Sequence, residues 1–298
     1  RTGGAAMTRN RRFGRVRLIL LLTLAALLCL LCLIGPELAP NDPYKVNLLQ
    51  AKQPPSEKFP LGTDGFGRCV LSRILVGART SVFSALLVVG ITLTVGCVIG
   101  TLCGYFGGAV DTIFMRLVDI FLAFPGMVLA LAVAGMLGTG LGNAVIALAA
   151  TGWPQYARLA RSYVLTLREE NFVYAARLGG QSVPRILLLH ILPNALRPLV
   201  VTASLSIGST ILSLSGLSFL GLGAQPPAAE WGSMLSEGRG LMQQAPWVVL
   251  YPGLTIFLTA VLFNLLGDSV RDALDPADSY HIFRKTKPPR RKKGKTVL

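Results

Sequence analysis

Long apolar runs separated by short charged clusters dominate this chain from residue 18 to residue 266. Residues 18–34 form a 17-residue apolar run behind Arg9, Arg11, Arg12, Arg15 and Arg17. That run is longer than a signal-peptide core, and no small-x-small cleavage site follows in GPELAPND, so it predicts a first transmembrane helix over residues 18–35. Residues 36–80 hold Pro36, Pro40, Pro43, Pro54, Pro55 and Pro60, too many prolines for a continuous helix before Val70. This stretch predicts an extracytoplasmic loop ending in a short amphipathic segment. Further spans are predicted over about residues 82–102, 117–137, 144–165, 196–222 and 247–266, within a transmembrane core at 81–276. Pro125 is expected to kink the third span, and Trp153-Pro154 to bend the fourth.

The expected fold is therefore an all-α membrane protein with about six transmembrane helices. Its 52% hydrophobic and 14% charged composition fits that class and lies far from a soluble domain's. Six of the 29 Lys and Arg lie in residues 1–17 and nine follow Gly267. By the positive-inside rule both ends, a tail at 1–17 and a basic tail at 277–298, are cytoplasmic, which requires an even number of crossings. The same placement argues against nucleic acid as the reason for the net charge of +15, and for attraction to lipid headgroups instead. The loop at 36–80 fits the charge rule badly, with Lys45, Lys52, Lys58, Arg68, Arg73 and Arg79. The first methionine is Met7, and residues 1–6 are set aside as an expected upstream extension.

Candidate chemistry is sparse. Cys29-x-x-Cys32 sits in a leucine run without histidine or a second pair, so it predicts buried thiols, and Cys69 lies in a polar loop. His190 and His281 are far apart, and no metal site is expected. Gly294, Lys295 and Thr296 match the end of a phosphate-cradling loop, but Pro289 occupies the first glycine position, so no nucleotide site is expected. Asp119, near the inner end of the third span, has Arg116 three residues away and predicts a structural ion pair rather than a proton relay. No catalytic residue emerges.

Two stretches carry more information. Thr202, Ser206, Ser209, Ser213 and Gly216 recur every three or four residues, which places them on one face of a helix. Such a stripe packs helices closely or walls a water-filled pathway, and it can do both. Residues 166–195 are the longest internal polar segment, with arginines on the expected cytoplasmic side. Within YAARLGGQSVPRILLLHILPN, Ala175 and Ala176 offer a close-approach face, Gly180 breaks a helix, and Leu192-Pro193-Asn194 start another element. The result is a compact helix-turn-helix suited to docking.

This segment resembles the coupling loop of ATP-binding-cassette importer permeases, in which Glu-Ala-Ala precedes a glycine and then a Leu-Pro pair. Tyr174 stands in place of the glutamate, and His190 in place of an isoleucine. LGTDGFGRCVLSRILVGARTS, LSFLGLGAQPPAAEWGSML and FNLLGDSVRDALDP resemble further signatures of the dipeptide, oligopeptide and nickel class of these permeases. Cys69 replaces an aspartate usual in the first of them. The resemblance implies a type I importer permease in a bacterial or archaeal cytoplasmic membrane, with Tyr174, Ala175, Ala176, Gly180, Leu192, Pro193 and Asn194 in the ATPase-docking loop. It implies four partners: a homologous second permease, two ATPases and an extracytoplasmic solute-binding protein. ATP and magnesium would be used by the ATPases, with no cofactor bound to this subunit. The implied substrates are peptides, glutathione-like molecules or nickel and its chelates; QPPAAEWG is similar to dipeptide permeases and WPQYARLARS equally to nickel ones, with peptides slightly favoured. The competing readings are a secondary transporter, which lacks the expected midplane charges and internal repeat, and a membrane scaffold.

Overall fold

A computed structural model describes residues 2–274, and among them every regular element is helical. In chain order the helices are α1 (Thr2–Leu38), α2 (Val70–Phe106), α3 (Gly108–Leu122), α4 (Gly126–Leu137), α5 (Leu141–Leu167), α6 (Asn171–Leu178), α7 (Val183–Ile186), α8 (Leu192–Phe219), α9 (Trp231–Gly238) and α10 (Trp247–Leu274). A π turn, Leu187–Ile191, joins α7 to α8. The expected tail at 277–298, with His281 and the Gly294-Lys295-Thr296 match, lies outside the described residues. Among the described residues, four single segments are long and apolar enough to cross a membrane: Gly14–Leu38, Val70–Phe106, Val183–Phe219 and Trp247–Leu274.

The third expected span is broken rather than kinked. α3 and α4 meet at 93° around Ala123, Phe124 and Pro125. Proline has no N–H to donate, and its ring pushes Phe124 out of helical geometry, so α3 stops at Leu122 and Pro125 caps α4. Taken together, the two halves are apolar enough for one broken span. α5 is long enough to cross but carries Arg158 and Arg161, and it is not among the apolar segments. It is enclosed by α2, α3, α4 and α8.

Glycines set the closest helix contact. On α2, a Cβ at Gly96 would lie 2.4 Å from Tyr156 Cβ, one at Gly100 2.3 Å from the Ala157 carbonyl oxygen, and one at Gly104 2.8 Å from Val164 Cβ. Gly96, Gly100 and Gly104 are four residues apart, so one bare ridge of α2 presses directly on α5. Gly208 of α8 approaches Ala260 and Asn264 of α10 in the same way, and Gly267 of α10 approaches Leu205. Small residues matter here because lipid supplies little hydrophobic drive between spans, leaving close packing as the main attraction.

On the expected outer side, the loop before α2 is a folded knot. Asp64 accepts from the backbone N–H groups of Phe66 and Arg68 at 2.9 Å each and from Arg68 Nε at 2.6 Å. Arg68 Nη2 also donates to Glu237 Oε2 at 2.5 Å, and Arg73 Nη2 to the same oxygen at 3.3 Å. Gly67 must be glycine: its φ is +74°, and a Cβ would meet the Asn47 carbonyl oxygen at 1.9 Å. Trp247 Nε1 donates to the Thr63 carbonyl, tying the knot to α10. Arg68 and Arg73, counted above against the charge rule, are thus buried and paired. Cys69 is not exposed in a loop but buried at the start of α2, and all five cysteines are free.

Glu230 caps α9. Its carboxylate is fully buried and accepts from Gly232 N, Ser233 N and Ser81 Oγ, while Trp231 Nε1 donates to the Ile74 carbonyl. These bonds seat the segment between α8 and α10 on α2.

Overpacking the glycine ridge should separate α2 from α5. Gly100→Leu is expected to cost about 1–3 kcal/mol or more, read as a lower thermal midpoint of the detergent-solubilised protein. Gly90→Leu, at a site with nothing within 4 Å, should leave that midpoint unchanged.

Candidate functional site: a hydroxyl-lined cavity and a docking helix

α2, the α3–α4 break, α5 and α8 line an open cavity of about 1000 Å3. The predicted stripe lines it: Thr202, Ser206, Ser209 and Ser213 of α8 all face the space. Their hydroxyls donate to carbonyls of their own helix, Thr202 to Pro198, Ser206 to Ala203, Ser209 to Ser206 and Ser213 to Ser209. The opposite wall comes from α5 and α2, through Thr151, Tyr156, Arg158 and Thr92. Tyr156 Oη lies 2.5 Å from Ser206 Oγ, bridging α5 to the stripe. The stripe therefore both packs and lines, because its residues are small enough for close approach and polar enough to face water.

Phe121, Leu122, Phe124 and Met127, at the α3–α4 break, supply an apolar side to the cavity. Phe121 packs on Trp153 with ring centroids 5.8 Å apart. Two arginines of α5 hold α3 in place. Arg161 grips Asp111 with both ends of its guanidinium, Nε to Oδ1 and Nη2 to Oδ2. Arg158 Nη2 donates to Asp119 Oδ1 at 2.5 Å. The expected partner of Asp119, Arg116, is thus replaced by one 39 residues further along the chain, since tertiary packing brings α5 beside α3.

The docking segment differs from its expected form at two points. α8 opens at Leu192-Pro193 as expected, but it is not set apart from α7: Val183–Phe219 runs on as one span, and the Leu192 N–H bonds the Leu187 carbonyl in the wider π turn just ahead of Pro193. The break falls at Gly179-Gly180, as expected of Gly180, which has a φ of +70°, and Pro184 lies in the first turn of the next helix. Asn194 donates to the His190 carbonyl at 2.7 Å, and His190 Nε2 lies 2.8 Å from Gln181 Oε1. The alanine pair is split as well. Ala175 is exposed, whereas Ala176 is buried with Val164, Val173, Ile186, Ile191 and Ala195. The exposed face of α6 is Phe172, Tyr174, Ala175 and Leu178, and Leu178 is 90% exposed.

Tyr174 Oη donates to Glu169 Oε2 at 2.9 Å, and Arg168 Nε donates to the other carboxylate oxygen at 3.1 Å. Donation from Tyr174 and then Arg168 holds the Glu169 carboxyl below its ordinary value, and the same contact raises the Tyr174 hydroxyl. Arg177 lies over the rings of Tyr105 and Tyr174, joining α6 to the end of α2. Arg168 Nη1 also donates to the Gly104 carbonyl there. Among the described residues no group of three or more potential metal ligands converges.

Sequence reading missed Thr92, Thr151, Tyr156 and Arg158 in the cavity and Leu178 on α6. An arginine inside a predicted span is the signal that could have found Arg158. The others depend on which helix faces which.

Comparison with known proteins gives one consistent answer. The family model for the binding-protein-dependent transport system inner membrane component matches residues 96–278. A dipeptide transport system permease of Alkalihalophilus pseudofirmus is 45% identical over 244 residues, covering 82% of this chain and 80% of that protein. A probable D,D-dipeptide transport system permease of Escherichia coli is 46% identical over 244 residues, covering 82% of each. A glutathione transport system permease of Pectobacterium atrosepticum is 46% identical over 222 residues, covering 74% of each. Among solved structures, an inward-facing MetNI methionine transporter chain aligns with a TM-score of 0.54 at 17% identity, covering 68% of this chain and 96% of that one, a likeness of fold. These matches bear out the resemblance carried by the sequence motifs.

Tyr174→Phe is expected to raise the titration midpoint of Glu169, read by carboxyl carbon NMR of glutamate-labelled protein. The contact contributes above the ordinary carboxylate range and is lost as pH falls through the depressed value, so removing the hydroxyl shifts that loss to higher pH. An unchanged midpoint would contradict the contact.

Proposed function

The chain belongs to the binding-protein-dependent transport inner membrane family, the permeases of ATP-binding-cassette importers, and from that premise we propose that it forms one half of a peptide pathway. The observation that carries this reading is the cavity itself. Spans from across the sequence converge on it, and hydroxyls line it where a polar solute would otherwise meet hydrocarbon.

In this reading the chain crosses the membrane six times, with α3 and α4 as one broken span and α5 as an enclosed span sparing in apolar residues because its neighbours shield it from lipid. Both termini are cytoplasmic, including the tails at 1–17 and 277–298. The knot before α2 and the α9 segment then lie outside, and α6 inside. α6 and the turn at Gly180 dock onto an ATPase through Tyr174, Ala175 and Leu178, with Ala176 holding the helix against the permease. Leu192, Pro193 and Asn194 brace it from the continuous helix behind. A homologous permease completes the pathway, two ATPases supply nucleotide-driven motion with ATP and magnesium, and an external solute-binding protein delivers substrate. This subunit itself performs no catalysis. The relatives' named substrates, dipeptides and glutathione, support peptides over nickel.

ATPase closure would pull on α6 and, through its packing on Ile186, Ile191 and Ala195, on the helix from Val183 to Phe219 and the stripe that walls the cavity. That path links docking to access across the turn at Gly180.

Purification of the complex from solubilised membranes tests the reading: an ATPase and a second permease should copurify, with hydrolysis stimulated by dipeptide plus its binding protein rather than by nickel. Leu178→Asp is expected to cut ATPase copurification at least severalfold while membrane insertion is retained. Ala176→Arg, which forces a charge into the core of the segment, should also lower the subunit's thermal stability, a loss that Leu178→Asp should not show.

A further inference from the structure

We infer that Arg158 is the specificity residue of the cavity, binding the free carboxylate of a peptide, with Asp119 as its resting counter-ion; this rests on the peptide-import reading. Arg158 is the one charged side chain among the residues lining the cavity, and no carboxylate lines it. Its pairing is incomplete. Asp119 takes a bond from one guanidinium nitrogen, whereas Arg161, three residues along, spends a two-pronged grip on Asp111. A guanidinium has five N–H donors in a planar fork, so Arg158 keeps donors for a second carboxylate. Both partners of the pair are about half exposed, 52% for Arg158 and 55% for Asp119, so an incoming anion can compete for the arginine.

The rest of the lining complements the other end of a zwitterion. Thr92, Thr151, Thr202, Ser209 and Ser213 have their hydroxyl protons committed to carbonyls of their own helices. They present lone pairs to the cavity, and lone pairs accept from ammonium and amide N–H groups. The cavity thus offers a donor fork at one place and acceptors along the stripe, in a volume at the upper end of small-ligand sites. A charged side chain kept within a span is costly unless it is paired or used, and Arg158 is placed for both.

The test uses the assembled complex in nanodiscs, with Ser209→Cys as a reporter alkylated by a maleimide. The same complex without the reporter corrects for the native cysteines. Ala-Ala is expected to protect the reporter, and Ala-Ala amide to need roughly tenfold more, the scale of one charge-assisted hydrogen-bonded contact. Arg158→Gln should erase that difference, and Arg158→Lys should keep part of it. Asp119→Asn removes the competing carboxylate and should strengthen protection by Ala-Ala severalfold. Retained discrimination in Arg158→Gln, no gain in Asp119→Asn, or no protection by either peptide would overturn the inference. ATP-dependent, binding-protein-dependent uptake of Ala-Ala, measured on the same preparation, separates the two levels. Uptake without protection refutes the role of Arg158 alone, whereas absence of uptake refutes peptide import and this role with it.

Discussion

At Gly96, Gly100 and Gly104 the backbone of α2 lies against α5 with no side chain of α2 between them, and the polar groups that α5 brings to the cavity are seated by that contact. Helices in lipid gain little from burying apolar surface against one another, so attraction depends on how closely their backbones approach. The bare ridge brings α5 in until Tyr156, Ala157 and Val164 touch α2. That seating fixes the rotation of α5 and aims Tyr156 and Arg158 toward α8 and α3. Gly208 and Gly267 do the same for α8 against α10. The cavity is the space left where α3, α4 and α8 stand further from this tightly packed pair.

Charges are handled differently at the two ends of the bundle. Around the start of α2, Arg68 and Arg73 are closed into a knot with Asp64 and Glu237, and Arg73 is only 1% exposed. Such buried pairs add little net stability over apolar residues, yet removing one partner is expensive, which makes the knot a device for fixing geometry. Near α6 the charged contacts are exposed and easily exchanged: Glu169 with Tyr174 and Arg168, and Arg177 over two tyrosine rings. In the topology proposed above, the rigid loop is the one that receives a carrier and the adaptable one the one that transmits motion.

Between these ends, α3 is bound to α5 by two arginine-carboxylate pairs and one aromatic contact, then turns through 93° into α4. The break places Phe121, Phe124 and Met127 beside the hydroxyl stripe, so the cavity has one apolar side and one polar side. A straight span would have carried Phe124 along the same axis as Phe121. The proline at 125 therefore shapes the lining as much as any residue that faces it.

Much of this was legible in the residues themselves. Apolar runs mark where helices must lie, because backbone groups in lipid have to be satisfied within their own segment. The spacing of Thr202, Ser206, Ser209 and Ser213 puts them on one face whatever surrounds the helix. The three glycines four apart on α2 were equally visible in GCVIGTLCG, although their partner was not. Long-range pairing was beyond such reading. Arg116 is three residues from Asp119, yet the ion pair goes to Arg158, because a helix's own periodicity says nothing about which neighbour packs beside it. Ala175 and Ala176 look equivalent in sequence but differ in burial, since consecutive helical residues point about 100° apart and only the surrounding core decides which is buried. The sequence by itself determined the membrane class and the faces of single helices, properties set by local backbone and solvent chemistry, and its motifs carried the resemblance to the family. The tertiary structure alone decided the cavity, its one lining arginine and the exposed tip of α6, because those depend on distances between segments far apart in the chain.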